Sequence, residues 1–119
     1  MSKIRGVRGA ITVSRNSKED IISSTRELLR DILRLNKIKT EDIAGIVFTA
    51  TKDLNSEFPA TAARNLGLKA TPLLCACEID VPGSLRKCVR ILMLVNSGKP
   101  QASIKHVYLR DAKKLRTDL

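Results

Sequence analysis

The stretch Cys88-Val89-Arg90-Ile91-Leu92-Met93-Leu94-Val95 decides the fold, because it is apolar throughout except at Arg90. A run this uniformly apolar predicts a strand that is covered on both of its faces. Arg90 would then hold a permanent positive charge where water is scarce, and burying it without a partner would be very costly. The balancing anion is either Glu78, from Cys75-Ala76-Cys77-Glu78-Ile79-Asp80, or a bound ligand.

Two helices are predicted from the spacing of apolar residues and from capping residues. The long helix is expected over residues 18–35, with Ser17 as its N-cap. A shorter helix or helical turn is expected within residues 57–67, because Pro59 suits a first turn and Gly67 suits the end of a helix.

Four further strands are predicted, at residues 4–13, 44–51, 73–80 and 104–109. In the first of them Arg8 shares a face with Gly6 and Ala10. Residues this small leave room for a ligand beside Arg8, although glycine in a strand can equally mark close backbone contact.

The order of these elements predicts the fold class. Strands that alternate with helices early in the chain and then follow one another directly indicate a mixed sheet of the α+β class. We therefore expect one domain, residues 1–119, in which a five-stranded sheet packs against the long helix and the short one. A single long helix covers one face of such a sheet. The other face is expected to meet further copies of the chain, which could place a site between subunits.

Charge and cysteine content narrow the class of protein. With 22 Lys and Arg against 12 Asp and Glu, the formal charge is +10, which predicts a negatively charged partner such as nucleic acid, an anionic surface or a small polyanion. Cys75, Cys77 and Cys88 lack the spacing of a zinc site and are expected to be reduced thiols in a cytoplasmic protein. No apolar run approaches about 20 residues, so neither a leader nor a membrane span is expected.

Most catalytic motifs are absent from the sequence. His106 is the only histidine, no nucleophile-and-base spacing appears, and a structural role is expected for it. The P-loop, dinucleotide and zinc-protease motifs are missing too, so no metal or cofactor is expected. What remains at strand positions is Arg8, Arg90, Glu78 and Tyr108. Such a set can bind an anion and stabilise developing charge without exchanging a proton.

Five segments occur in an order and at spacings that are specific when taken together. They are Arg5-Gly6-Val7-Arg8-Gly9-Ala10-x-Thr12-Val13, Phe58-Pro59-Ala60, residues 72–90, His106-Val107-Tyr108-Leu109 and Leu115-Arg116-x-Asp118-Leu119. Through almost the whole chain they resemble the small, monofunctional, trimeric chorismate mutases of bacteria. The resemblance implies the Claisen rearrangement of chorismate to prephenate in phenylalanine and tyrosine biosynthesis, with no cofactor. It also implies a barrel-like homotrimer with sites at the subunit interfaces.

Position by position, the resemblance implies roles for the charged set. Arg8 and Tyr108 would bind the carboxylate end of the substrate, and Arg90 would stabilise the ether oxygen as its bond breaks. Glu78 would hold the ring hydroxyl together with Cys75, which is expected to contribute its backbone. Arg90 and Glu78 are thus the expected catalytic residues. The other implied substrate-binding positions are Leu74, Ala76, Cys77, Leu115 and Arg116, with Phe58, Ala60, Thr61 and Arg64 from the neighbouring chain.

Two positions depart from the pattern of the family that the sequence resembles. Thr61 stands where relatives carry a lysine, and Leu74 stands where they can carry a hydroxyl. The tail beyond Arg116 is also short. Substrate affinity and closure of the site are the properties that these departures affect.

Two other functions fit parts of the sequence. A trimeric enamine or imine deaminase with an interface arginine would share the architecture, because fold alone does not fix chemistry. A nucleic-acid-binding module would suit the charge, but Phe48, Phe58 and Tyr108 are the only aromatic residues and no stacking motif is present. A dianionic substrate accounts for the charge as well, so neither nucleic acid nor a membrane is the expected partner.

Overall fold

One mixed sheet organises the chain, and the computed structural model describes it over residues 2–116. The strands are β1 (Lys3–Thr12), β2 (Ile43–Ala50), β3 (Leu73–Cys77), β4 (Cys88–Ser97) and β5 (Val107–Leu109), in the spatial order β3-β2-β4-β1-β5. The central strand β4 is antiparallel to β1 and β2, whereas the outer pairs β2–β3 and β1–β5 are parallel. The predicted α+β fold with a five-stranded mixed sheet is confirmed.

The long helix α1 (Lys18–Leu35) has the bounds predicted from the sequence. The hydroxyl of Ser17 accepts the backbone N–H of Asp20 at 3.2 Å, which satisfies one of the unpaired donors of the first turn. At the other end Lys37 adopts a left-handed conformation with φ of 51°, and the N–H of Ile38 reaches the carbonyl of Leu33 at 2.9 Å. This pattern is a Schellman motif, which ends the helix.

The main core lies between α1 and one face of the sheet. Its largest fully buried members include Phe48, Ile11, Ile21, Leu28, Leu29, Ile32, Ile46 and Met93. Gly9 allows this close packing, because a Cβ atom added there would lie 2.8 Å from the Cδ1 of Ile32 and 3.2 Å from the carbonyl oxygen of Val107. Close contact with the helix therefore explains this glycine.

The short helix α2 (Ala60–Asn65) follows β2 and precedes β3 along the chain, and it is shorter than the predicted range of 57–67. Gly67 takes φ of 92° just after it, as expected for a residue that ends a helix. The carboxylate of Glu57 accepts the N–H of Phe58 at 2.8 Å and the hydroxyl of Thr61 at 3.3 Å.

No helix within residues 2–116 is both long enough and apolar enough to cross a membrane.

Three strand ends differ from the predicted ones by two or three residues, whereas β1 and β2 differ by only one residue at each end. β3 ends at Cys77 and not at Asp80, because the chain leaves the sheet towards a turn at residues 81–84. β4 runs on to Ser97, which pairs with Lys3 at the start of β1. β5 begins only at Val107, where pairing with β1 starts, because the backbone of Lys105 is bound by the side chain of Asn36. A short 3-10 helix (Gln101–Ser103) precedes this segment.

The expectation that β4 is covered on both faces is wrong for the single chain. Burial alternates along the strand, so that Val89, Ile91, Met93 and Val95 are buried whereas Arg90, Leu92 and Leu94 are exposed. The physical reason is that α1 covers one face of the sheet, whereas on the other face, within residues 2–116, the 3-10 helix Arg110–Leu115 covers only the start of β4, at Cys88. We call this second face, with Arg90, Leu92 and Leu94 at its centre, the open face.

Candidate active site

The register of the strands aligns a row of residues across the open face. Thr49 of β2 pairs with Arg90 of β4, and Arg90 pairs on its other side with Ala10 of β1. Ala10 in turn pairs with Tyr108 of β5, and Thr49 with Ala76 of β3. Arg90 thus lies at the middle of the sheet, separated from Tyr108 by the small side chain of Ala10.

Glu78 is the protein anion that faces Arg90. Its Oε2 lies 3.5 Å from the Nε of Arg90 and accepts the hydroxyl of Thr49 at 2.5 Å. The backbone N–H of Glu78 donates to the carbonyl of Ala50 at 2.9 Å, which fixes the residue just beyond the end of β3. The Arg90 side chain remains 45% exposed, so that it is accessible to a ligand as well as paired. Both sources of balancing charge considered from the sequence are therefore compatible with the geometry.

Hydrogen bonds at the start of β4 fix the position from which Arg90 projects. Lys87 is left-handed with φ of 49°, and its N–H donates to both carboxylate oxygens of Asp53 at 3.1 and 3.2 Å. The next N–H, that of Cys88, donates to the hydroxyl of Thr51 at 3.0 Å.

Burial raises the pKa of the Cys88 thiol, which favours an inert, protonated cysteine beside the site.

A cavity of about 240 Å³ brings the four predicted polar residues together. Its lining residues are Arg8, Gly9, Val47, Thr49, Glu78, Arg90, Ile91, Leu92 and Tyr108. Arg8 pairs with Leu92 and Arg90 with Ala10, so the two arginines are diagonal neighbours on adjacent strands, roughly 7–8 Å apart at the backbone. Two guanidiniums, one carboxylate and one phenol therefore line a single concavity.

The chain segment after β5 lies at the Tyr108 end of the row of residues that crosses the open face. Arg110 is left-handed with φ of 56° and begins a 3-10 helix, Arg110–Leu115. Its guanidinium donates to the carbonyl of Thr12 at 3.1 Å, the hydroxyl of Ser24 at 3.0 Å and the carboxylate of Glu27 at 2.9 Å. These three bonds fix the turn that directs the helix across the sheet.

The 3-10 helix brings two residues that were predicted to bind substrate, Leu115 and Arg116, close to Tyr108. Leu115 and Tyr108 pack against a small cluster that includes the buried Ala10 and Ala112. The guanidinium carbon of Arg116 lies 5.3 Å from the centre of the Tyr108 ring, within the range of a cation–π contact. Leu115 and Arg116 are thus next to the tyrosine that lines the cavity. Asp118 and Leu119, the end of the last resemblance segment, lie outside the described residues.

The remaining predicted residues do not join this cavity. Phe58, Cys75, Ala76 and Cys77 line a second concavity of about 520 Å³ at the carboxyl ends of β2 and β3. The side chain of Cys75 packs against the main core. Phe58 is 66% exposed and Leu74 is 62% exposed. On α2, Ala60 is buried, Thr61 is half-buried and Arg64 is exposed.

Comparison with known proteins assigns the family. A family model described as chorismate mutase type I matches residues 4–119. The chain belongs to the type I chorismate mutase family. The resemblance inferred from the sequence is confirmed, and with it the assignment to a family of isomerases.

Individual members of the chorismate mutase family are similar over nearly the full length of the chain. A chorismate mutase AroH from Thermus thermophilus is 50% identical over 98% of this chain and 96% of its own length. A second one, from Bacillus subtilis strain 168, is 45% identical over 98% of this chain and 92% of its own. The solved structure of a chorismate mutase from Clostridium thermocellum superposes with a TM-score of 0.91 at 50% identity, covering 92% of this chain and 97% of that one.

In this chorismate mutase fold, sequence reasoning missed two cavity residues on β2. Val47 and Thr49 line the cavity, and Thr49 binds Glu78 directly. A strand pattern over residues 44–51 places them on one face but does not say which strand lies beside them. Thr49, the one polar residue of β2 (Ile43–Ala50), is the signal that could have identified a site residue.

Proposed function

We propose that the chain catalyses the rearrangement of chorismate to prephenate in the biosynthesis of aromatic amino acids. The observation that carries this proposal is the convergence of Arg8, Glu78, Arg90 and Tyr108 on one cavity. The reaction breaks one carbon–oxygen bond and forms one carbon–carbon bond within the same molecule, so it requires neither a nucleophile nor a proton acceptor. A site built from fixed cations and hydrogen-bond donors suits that requirement.

Arg90 is proposed to stabilise the ether oxygen, which becomes more negative as its bond breaks. A donor that strengthens its contact only in the transition state raises the rate, and such donors typically contribute about 10²–10³. Glu78, positioned by Thr49, would orient Arg90 and accept a hydrogen bond from the ring hydroxyl of the substrate. Arg8 and Tyr108 would bind the carboxylate end of the substrate, and so fix the compact conformer that can react.

We further propose a homotrimer in which each site is completed by a neighbouring chain. The open face exposes Leu92 and Leu94 beside Arg90, and Leu74 extends this apolar surface at the edge of the sheet. Apolar surface of this kind favours an interface with other copies. Phe58, with the adjacent helix α2, would approach the cavity of the neighbouring chain, which accounts for the division of the predicted site residues between two concavities.

A cytoplasmic location is part of the same proposal. Cys75, Cys77 and Cys88 are all free thiols in the structure. Free cysteines in a small domain are typical of a reducing compartment, where disulfides do not persist. The proposed substrate and the proposed location are compatible, since the rearrangement needs no oxidant or reductant.

The test is direct. The purified chain is incubated with chorismate, the loss of chorismate is followed by absorbance, and the product is identified as prephenate by proton NMR. An Arg90→Ala variant of unchanged circular dichroism and oligomeric mass serves as the control for a contaminating enzyme. We expect turnover that this variant loses. No turnover by a verified trimer would overturn the proposal and favour a deaminase of similar architecture.

A further inference from the structure

The backbone N–H of Arg8 is bound by a side chain and not by a strand. The parallel pairing of β1 with β5 begins at Gly9 and Val107, one residue beyond Arg8. At the preceding position the Nδ1 atom of His106 accepts the N–H of Arg8 at 3.0 Å. The imidazole thus extends the ladder by one hydrogen bond, at the residue whose guanidinium lines the proposed active site.

This contact defines the tautomer of His106. An Nδ1 that accepts a hydrogen bond carries no proton, so the neutral ring has its proton on Nε2. Burial lowers the pKa of His106, and the charges of Arg8 and Arg116 lower it further. Arg5 from β1 and Gln101 from the 3-10 helix line a neighbouring concavity of about 280 Å³ with Arg8 and His106, and its lining contains no carboxylate. Among the described residues 2–116, the charged groups Arg5, Arg8 and Arg116 therefore favour the neutral, accepting ring.

The segment that carries His106 is itself fixed. The buried side chain of Asn36, at the end of α1, donates to the carbonyl of Lys105 at 2.9 Å and accepts the N–H of Lys105 at 2.8 Å. His106 therefore connects β1 to a segment that is anchored on the long helix. Two residues further on, Tyr108 lines the same cavity as Arg8.

We propose that His106 is a positioning residue, which fixes the backbone of Arg8 and thereby the guanidinium that binds the substrate carboxylate. This inference rests on the proposed function. Protonation of Nδ1 removes the acceptor and turns an N–H towards the N–H of Arg8. Substrate binding should therefore weaken as His106 becomes charged, whereas the rearrangement step, carried by Arg90, should change less.

Two variants separate this role from a merely structural one. In His106→Asn the side-chain oxygen can take the place of Nδ1 as an acceptor that does not titrate, whereas His106→Leu fills similar volume without an acceptor. Steady-state kinetics with chorismate at pH 7.5 should give a KM about 5- to 20-fold higher for the leucine variant, the range expected when a hydrogen bond is lost and its donor left unpaired. The asparagine variant should recover most of the affinity, and kcat should change less than KM in both.

The pH profile supplies an independent readout. Burial lowers the pKa of His106 below the ordinary histidine value of about 6.5, so the wild-type KM should rise only on acidification below that ordinary value. The asparagine variant should show no such rise over the same range. A wild-type KM that falls on acidification would mean that the charged ring attracts the substrate, and would overturn the proposal. So would equal KM values for the two variants.

NMR tests the hydrogen bond even if chorismate is not the substrate. Because the chain has a single histidine, nitrogen-15 spectra of its ring report His106 alone. We expect the Nε2-protonated tautomer at pH 7.5, and an Arg8 amide resonance that moves with the titration of the ring. The opposite tautomer would contradict the inference. Absence of chorismate turnover in the wild type with the expected tautomer would instead contradict the proposed function.

Discussion

Thr49 and Arg90 are cross-strand partners that reach the same oxygen of Glu78. The hydroxyl of Thr49 donates to Oε2 at 2.5 Å, and the Nε of Arg90 lies 3.5 Å from that atom. With Arg90 45% exposed, such an ion pair contributes about 0–1 kcal/mol to folding. The arrangement therefore serves less to stabilise the fold than to hold a carboxylate and a guanidinium in one orientation at the cavity.

Replacing Arg90 by lysine should abolish most of the activity although the charge is kept. An ammonium on a flexible chain does not reproduce the planar donor that the geometry holds against Glu78. We expect kcat to fall by at least about 10²-fold, the effect of losing one transition-state donor. Measurement of kcat and KM with chorismate checks this, with circular dichroism to establish that the variant folds. A folded lysine variant with near-normal kcat would show that Arg90 is not the stabilising cation.

Replacing Thr49 by valine should reduce kcat while leaving the fold unchanged. Valine has almost the same shape, but it removes the hydroxyl that fixes the carboxylate of Glu78. We expect a loss of about 5- to 10-fold, in line with the roughly 1 kcal/mol that one hydrogen bond contributes. Thr49→Ser keeps the hydroxyl and is the matched control, for which kcat should stay near that of the wild type. Equal activity of the two variants would count against a role for this hydrogen bond.

Introducing a carboxylate at Leu94 should weaken the proposed trimer. Leu94 lies on the open face, 37% exposed in the single chain, at a position that does not line the 240 Å³ cavity. Burying a charge there in each of the proposed interfaces would cost several kcal/mol. Sedimentation should show Leu94→Glu shifted towards monomers at concentrations where the wild type is a trimer. The matched control is Arg30→Glu, on the exposed side of α1, which should keep the oligomeric mass of the wild type. If Leu94→Glu also kept that mass, the open face would be excluded as the interface.

The helix α1 illustrates what local sequence can predict. Its start and end at residues 18 and 35 were predictable because Ser17 supplies the N-terminal cap and the apolar spacing of the helix stops where the left-handed Lys37 follows. Four of the five polar residues of the cavity, Arg8, Glu78, Arg90 and Tyr108, were predictable for a related reason. A guanidinium or carboxylate in an apolar strand needs a partner, so its type alone indicates a site.

The neighbours of those residues could not be predicted in the same way. The alternation of a strand assigns residues to a face, but the register of pairing with other strands depends on contacts far away in sequence. Thr49 was therefore missed although its strand was located. The uniform apolar run of β4 was also ambiguous, because a sequence does not distinguish burial under a helix from burial against another chain. The exposed Leu92 and Leu94 show that only the first kind occurs within the single chain.

A glycine at position 37 should stabilise the chain. Lys37 is exposed and holds φ of 51°, a conformation that costs residues other than glycine about 1–2 kcal/mol. Lys39→Gly is the matched control, because it removes the same charge at a residue with an ordinary φ of −87°, where glycine only increases the freedom of the unfolded chain. Urea unfolding at one fixed protein concentration should place Lys37→Gly about 1–2 kcal/mol above Lys39→Gly. Equal stabilities would mean that the left-handed turn at the end of α1 carries no strain.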